Sequence, residues 1–185
     1  MTDRAPAGPA AAHWLRLAAA VATGLGLALA FPGPDLGAVA FVALVPLLVA
    51  VEPVRPRVAA GLGLVAGLTF FGLHLHWIDV FGNLAWLALS VAQALFVAAF
   101  FALVPATRRL GTWRVALLPA CWAALELLRA HVPLGGFPWG MLGLTQHDGG
   151  PLLPLARVVG GYGLSAVVVA VNLALAAALR ALLAA

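Results

Sequence analysis

PACWAALELLRAHVPLGGFPWGMLGLTQHDGG, residues 119–150, is the stretch on which the fold turns. It opens as an apolar helix that carries Glu126 and Arg129 three positions apart, on one helical face. Pro133, Gly135 and Gly136 then break the pattern into a connection that is itself apolar and aromatic. Phe137, Pro138, Trp139, Met141, Leu142 and Leu144 are poor choices for a loop in water. They suit a segment at the boundary between lipid and water. A charged pair inside an apolar helix, followed by such a loop, points to a membrane protein with a working surface at one face.

The composition agrees. Of 185 residues, 64% are hydrophobic and 9% charged, with a mean hydropathy of +1.09, whereas soluble domains carry about 25% charged residues. All ten basic residues are Arg and none is Lys. They lie scattered at the ends of apolar segments and form no continuous basic face, which excludes nucleic acid as a partner. The single cysteine, Cys121, permits neither an intrachain disulfide nor a cysteine-based metal cluster.

Outward from the opening stretch, the expected fold is all-α and polytopic, with about six transmembrane helices. Residues 1–12 are polar and rich in Ala and Pro, and are expected to form a disordered cytoplasmic tail; 13–185 form the membrane domain. Apolar segments span about 14–31, 36–51, 58–77, 83–105, 113–130 and 158–183. The first also resembles a secretory signal ending at Ala28-Leu29-Ala30, but the later segments make the whole chain polytopic, so a first membrane helix explains it. Gly63 and Gly67 share a face of the third segment and permit close helix contact. Arg4, Arg16, Arg55, Arg57, Arg108, Arg109, Arg114 and Arg180 fall on one side of a six-helix zigzag, with only Arg129 and Arg157 on the other. By the positive-inside rule both termini are cytoplasmic and the apolar loop faces outward.

Several runs, in order, carry a family resemblance. They are Ala30-Phe31-Pro32, the segment from Ala40 to Leu47, Trp77-Ile78, the Glu126-x-x-Arg129 helix, Gly136-Phe137-Pro138-Trp139, Gln146 with Asp148-Gly149, and Gly160-x-Tyr162-Gly163-Leu164-Ser165. Together they resemble the membrane part of bacterial apolipoprotein N-acyltransferase, over nearly all of the chain from about residue 14 onward. The resemblance implies a bacterial inner-membrane location, a phospholipid acyl donor, and acyl transfer to the N-terminal diacylglyceryl-cysteine of a lipoprotein, without cofactor. In that family a Glu, Lys and Cys in an extramembrane nitrilase-like domain perform the chemistry. These 185 residues hold no Lys, and Cys121 lies within an apolar helix where a neutral thiol is inert. The chain is therefore expected to be truncated before that domain and inactive alone, with a non-catalytic scaffold or anchor for a partner enzyme as the alternative. A small transporter is disfavoured, because no helix interior shows a row of charges or broken-helix signals beyond isolated prolines.

The candidate site is the outer loop. Phe137, Pro138 and Trp139 are expected either to form a lipid access surface or to anchor the loop, and Glu126 and Arg129 either to brace it or to meet a phospholipid head group. His74, His76 and Asp79 do not make a metal site, because helical positions two apart point about 200° apart; the histidines are expected to pack at the interface with Trp77. Ser90, Gln93 and Asn172 are expected to act as polar glue between helices.

Overall fold

The computed structural model describes residues 9–133, 135–148 and 152–185. Its α-helices are α1 (Pro9–Leu29), α2 (Val45–Val51), α3 (Pro56–His74), α4 (Asn83–Ala106), α5 (Arg114–Arg129) and α6 (Leu153–Ala184). Short 3-10 turns at Gly37–Phe41, His76–Phe81, Arg108–Trp113 and Leu142–Gln146 lie between them, and no strand occurs among the described residues. Four helices, α1, α3, α4 and α6, are long and apolar enough to cross a membrane. α2 and α5 are shorter than that. Large apolar side chains line the outer surfaces, with Val158 82% exposed and Leu84 81% exposed. Such a surface is stable against lipid.

α3 and α4 form an antiparallel hairpin, α1 packs on α3, and α5 packs on α6. The hairpin closes through Gly63 and Gly67, as their spacing predicts. A Cβ at Gly67 would stand 2.8 Å from the Cα of Ala94, and one at Gly63 would stand 2.8 Å from the Cβ of Phe101. Small residues thus bring the two backbones together where no water exists to drive association. Phe71, Phe100, Phe101, Leu47 and Leu118 fill the centre of the bundle.

Three boundaries differ from those expected. α1 begins at Pro9, inside the expected tail, while residues 1–8 lie outside the described ones. The last helix starts at Leu153 and breaks at Gly160, where φ is +64°. The largest difference is in residues 36–51, which are not one helix. The chain passes through the turn Gly37–Phe41, unwinds at Val42, and restarts as α2, with Pro46 in its first turn.

That restart leaves backbone groups unpaired in an apolar interior, and side chains from distant helices satisfy them. The Leu44 N–H donates to Asn172 Oδ1 at 2.9 Å, and the Leu47 N–H to Thr23 Oγ1 at 3.3 Å. Asn172 Nδ2 donates in turn to the carbonyls of Ala40, 2.8 Å, and Val168, 2.9 Å. Asn172 and Thr23 are both fully buried. Asn172 is therefore a cap for a broken helix, which is more specific than glue between two intact ones.

Asn172→Leu keeps the volume and removes both functions. It is expected to destabilise the fold by roughly 2 kcal/mol, the cost of an unmet buried polar group. Ser90→Ala, which loses one long contact of 3.4 Å, should cost well under half as much. Thermal unfolding of the two variants in one detergent checks the order.

Candidate functional site: a braced aromatic loop beside a groove

α5 ends at Arg129 and the chain turns back on itself. The Phe137 N–H donates to the Arg129 carbonyl at 2.8 Å, so the loop folds down over the helix end. Gly136, at φ +81°, makes this approach sterically feasible, since a Cβ there would lie 2.1 Å from the carbonyl carbon of Ala130.

Beneath the loop sit Glu126 and Arg129, each only 4% exposed. The guanidinium Nη1 donates to Gln93 Oε1 on α4 at 3.0 Å, to the Phe137 carbonyl at 3.3 Å and to the Trp139 carbonyl at 2.6 Å. Nη2 donates to the Gly140 carbonyl at 2.8 Å. Glu126 Oε1 accepts the Leu142 N–H at 2.8 Å and the Trp122 indole N–H at 2.9 Å. The direct separation of the two charges is 4.0 Å, longer than a hydrogen bond. The pair therefore acts through the loop: one member collects its carbonyls and the other its next amide. The Arg129 guanidinium also lies 5.5 Å from the ring centre of Phe71.

Beyond Leu142 the loop is sutured to other elements. The Gly143 N–H donates to Ser165 Oγ on α6 at 2.7 Å, and Gln146 Nε2 to the Gly37 carbonyl at 3.0 Å. Irregular backbone near membrane depth is tolerated only when protein satisfies it in this way. Gln93 and Ser165 are site-building residues that the sequence did not single out for this role. In the sequence Gln93 is expected only to link helices, and Ser165 stands out only as the end of the run from Gly160.

The five candidate residues separate into two layers. Glu126 and Arg129 are buried below, and Phe137 tucks partly against the core. Pro138 and Trp139 face outward, with Trp139 50% exposed and its ring 5.5 Å from that of Trp77. Phe31, Pro32, His74, Trp77, Trp139 and Leu144 line a groove of about 430 Å³, within the range of small-molecule sites. A second cleft of about 370 Å³ shares Pro32 and His74 and runs between α1 and α3.

The histidines do not pack with Trp77 as expected. His74 stacks on Phe70, with centroids 5.2 Å apart, and lies 4.5 Å from Phe31, while His76 meets Trp86 edge-on at 5.5 Å. The helix ends at His74, so the two rings belong to different elements and meet different partners, and only His74 lines the groove. At its rim His147 stands between two carboxylates, Nε2 at 3.3 Å from Asp35 and Nδ1 at 2.5 Å from Asp148. One ring nitrogen faces each carboxylate, which describes a polar bridge between the chain near Asp35 and the end of the loop.

Arg129→Lys is expected to fail as a replacement, because one ammonium cannot span Gln93 and three carbonyls. Loss of about 3 kcal/mol is expected, roughly 1 kcal/mol for each of the three buried loop carbonyls that loses its donor. Hydrogen exchange should show it first at the amides of 137–142, ahead of those in α3 and α4. Equal loss of protection throughout the bundle would mean that Arg129 holds the helices and not the loop.

Comparison with known proteins gives the family. Residues 23–174 match the model of the apolipoprotein N-acyltransferase N-terminal domain. An apolipoprotein N-acyltransferase of Geobacter metallireducens is 38% identical over 168 residues, covering 84% of this chain and 32% of the relative. Those of Caulobacter vibrioides and Shewanella oneidensis are each 34% identical, over 85% and 88% of this chain and 32% and 34% of their own lengths. The chain thus spans about a third of the length of these curated relatives. By the match and by the identities, the chain belongs to the apolipoprotein N-acyltransferase family, in the region of its N-terminal domain.

Proposed function

We propose that this chain forms the membrane-embedded part of an apolipoprotein N-acyltransferase. It would present a phospholipid acyl donor, and the diacylglyceryl end of a lipoprotein, to catalytic groups that these residues do not include. The observation that carries the proposal is the groove between Trp77 and Trp139, open on its apolar side and braced from below by Arg129. Ring faces and proline offer an apolar bed for an acyl chain. Because Arg129 already donates to four acceptors and is buried, its part is to position the loop. The head-group contact then falls to the exposed rim.

The same proposal includes six crossings of a bacterial inner membrane, with both termini cytoplasmic and the loop outside. The eight-to-two division of arginines supports the orientation. α5, at 16 residues, is about 24 Å long by its rise per residue. That is short of a hydrocarbon core of about 30 Å, and the down-folded loop makes up the difference. For the second crossing, the capped pieces between Gly37 and Val51 act together.

Two experiments test this. In bilayer discs, a photoreactive diacyl phospholipid should label the groove at Trp77, Trp139 and Leu144, and Trp139→Ala should reduce that labelling several-fold with no change in melting temperature. Labelling spread evenly around the apolar belt would remove the groove from lipid binding. For orientation, single cysteines at Asp148→Cys and Thr112→Cys, in a Cys121→Ser background, are treated with an impermeant thiol reagent on intact cells. Only the former should react; the reverse pattern would put the loop inside.

A further inference from the structure

A further cleft lies at the opposite end of the bundle, far from the groove. The end of α2, the end of α4, the start of α5 and the last turns of α6 enclose about 190 Å³ there. Leu48, Leu118, Leu173 and Ala176 give it apolar walls, while Glu52, Arg114 and Arg180 stand in its lining.

The charges in this cleft do not cancel. Arg114 grips Glu52 with both arms, Nη1 to Oε1 at 2.7 Å and Nη2 to Oε2 at 3.0 Å, and Nη2 also donates to the Val104 carbonyl at 2.8 Å. Arg180, from α6, reaches Glu52 Oε2 at 2.9 Å. Two guanidiniums thus share one carboxylate. Burial alone would raise the Glu52 carboxyl, but hydrogen bonding and charge from Arg114 and then Arg180 outweigh it and hold the group below its ordinary value. Glu52 is therefore ionised at neutral pH, and the cleft keeps one surplus positive charge. Among the described residues at this end, Glu52 is the sole acidic side chain against Arg16, Arg55, Arg57, Arg108, Arg109, Arg114 and Arg180.

The two arginines are not equivalent. Both terminal nitrogens of Arg114 are engaged, and its side chain is 17% exposed. Arg180 makes one ion pair and is 37% exposed, so its fork has donors left for an anion at the mouth of the cleft. The volume is too small for a whole lipid and suits a head group. Next to the mouth, the outward faces of α5 and α6 are apolar, with Val115 67% and Leu182 76% exposed, so acyl chains can lie against them.

We propose that this cleft binds the head-group phosphodiester of an anionic phospholipid from the leaflet on the arginine-rich side, with Arg180 as the principal donor. The surplus charge selects an anionic head over a zwitterionic one, and the apolar surroundings select a lipid over a free phosphate. The site stands apart from the proposed outer groove and shares with it only the assumption that the helices cross a membrane. Failure of one leaves the other untouched.

The test uses the whole chain in detergent, titrated with phosphatidylglycerol or phosphatidylcholine and read by native mass spectrometry and melting temperature. Phosphatidylglycerol should bind about five-fold tighter, the scale expected for one arginine near an anionic head group. Arg180→Gln should abolish this preference, Arg180→Lys should keep most of it, and Arg57→Gln, an exposed arginine at the same end, should leave it intact. Ala177→Phe, which fills the cleft without changing charge, should abolish it too, and serves if Arg180→Gln fails to fold. Equal binding of the two lipids, or a preference that survives Ala177→Phe, would overturn the proposal. So would equal sensitivity to Arg57→Gln, which would mean diffuse surface charge, or glycerol phosphate binding as tightly as the lipid.

Discussion

A guanidinium buried in an apolar bundle is stable only where acceptors surround it, and the loop end of this protein is arranged to meet that condition for Arg129. An unpaired charge in such a place is costly, and a single carboxylate 4.0 Å away does not satisfy a five-donor fork. The remaining acceptors are Gln93 and three backbone carbonyls of the loop. The requirement works in both directions. The loop needs donors for carbonyls held away from water, and the arginine needs acceptors, so each makes the position of the other unique. Pro138 and Trp139 project into the groove because the carbonyls on either side of them are held.

The same logic recurs wherever the chain departs from a continuous helix. At α2 the free amides of Leu44 and Leu47 are met by Asn172 and Thr23, from α6 and α1. At the loop's end, Ser165 and Gln146 meet groups near Gly143 and Gly37. Each break joins elements far apart in sequence, so the polar residues of the helices also define which helices are neighbours. At the arginine-rich end Glu52 does the same with charges, tying the end of α2 to the first turn of α5 and the last turns of α6.

The two ends of the bundle consequently differ in character. The groove end is aromatic, with its single buried arginine turned inward. At the other end Arg114 and Arg180 share the Glu52 carboxylate, while Arg55, Arg57, Arg108 and Arg109 are exposed. The asymmetry fits the proposed lipid groove at one face and the proposed orientation in a bilayer.

Much of this is legible in the sequence, for a physical reason. Membrane helices depend on the local density of apolar residues, and their ends on proline, glycine and arginine, so most of the apolar segments and the apolar loop after Arg129 can be read without knowing any contact. The close approach at Gly63 and Gly67 is legible too, since helical spacing alone puts both on one face. The identities of the partners are not. Nothing local to Asn172 says that it caps Leu44, 128 positions away, and nothing near Arg129 points to Gln93 on α4. Nor does the periodicity of residues 36–51 reveal a break, since an apolar run reads as one helix whether or not a distant side chain stands ready to satisfy its freed amides. The sequence by itself determined the membrane environment, the α-helical class and the site of the loop. Only the tertiary structure decided which polar groups meet, because each such pairing depends on helices brought together from opposite ends of the chain.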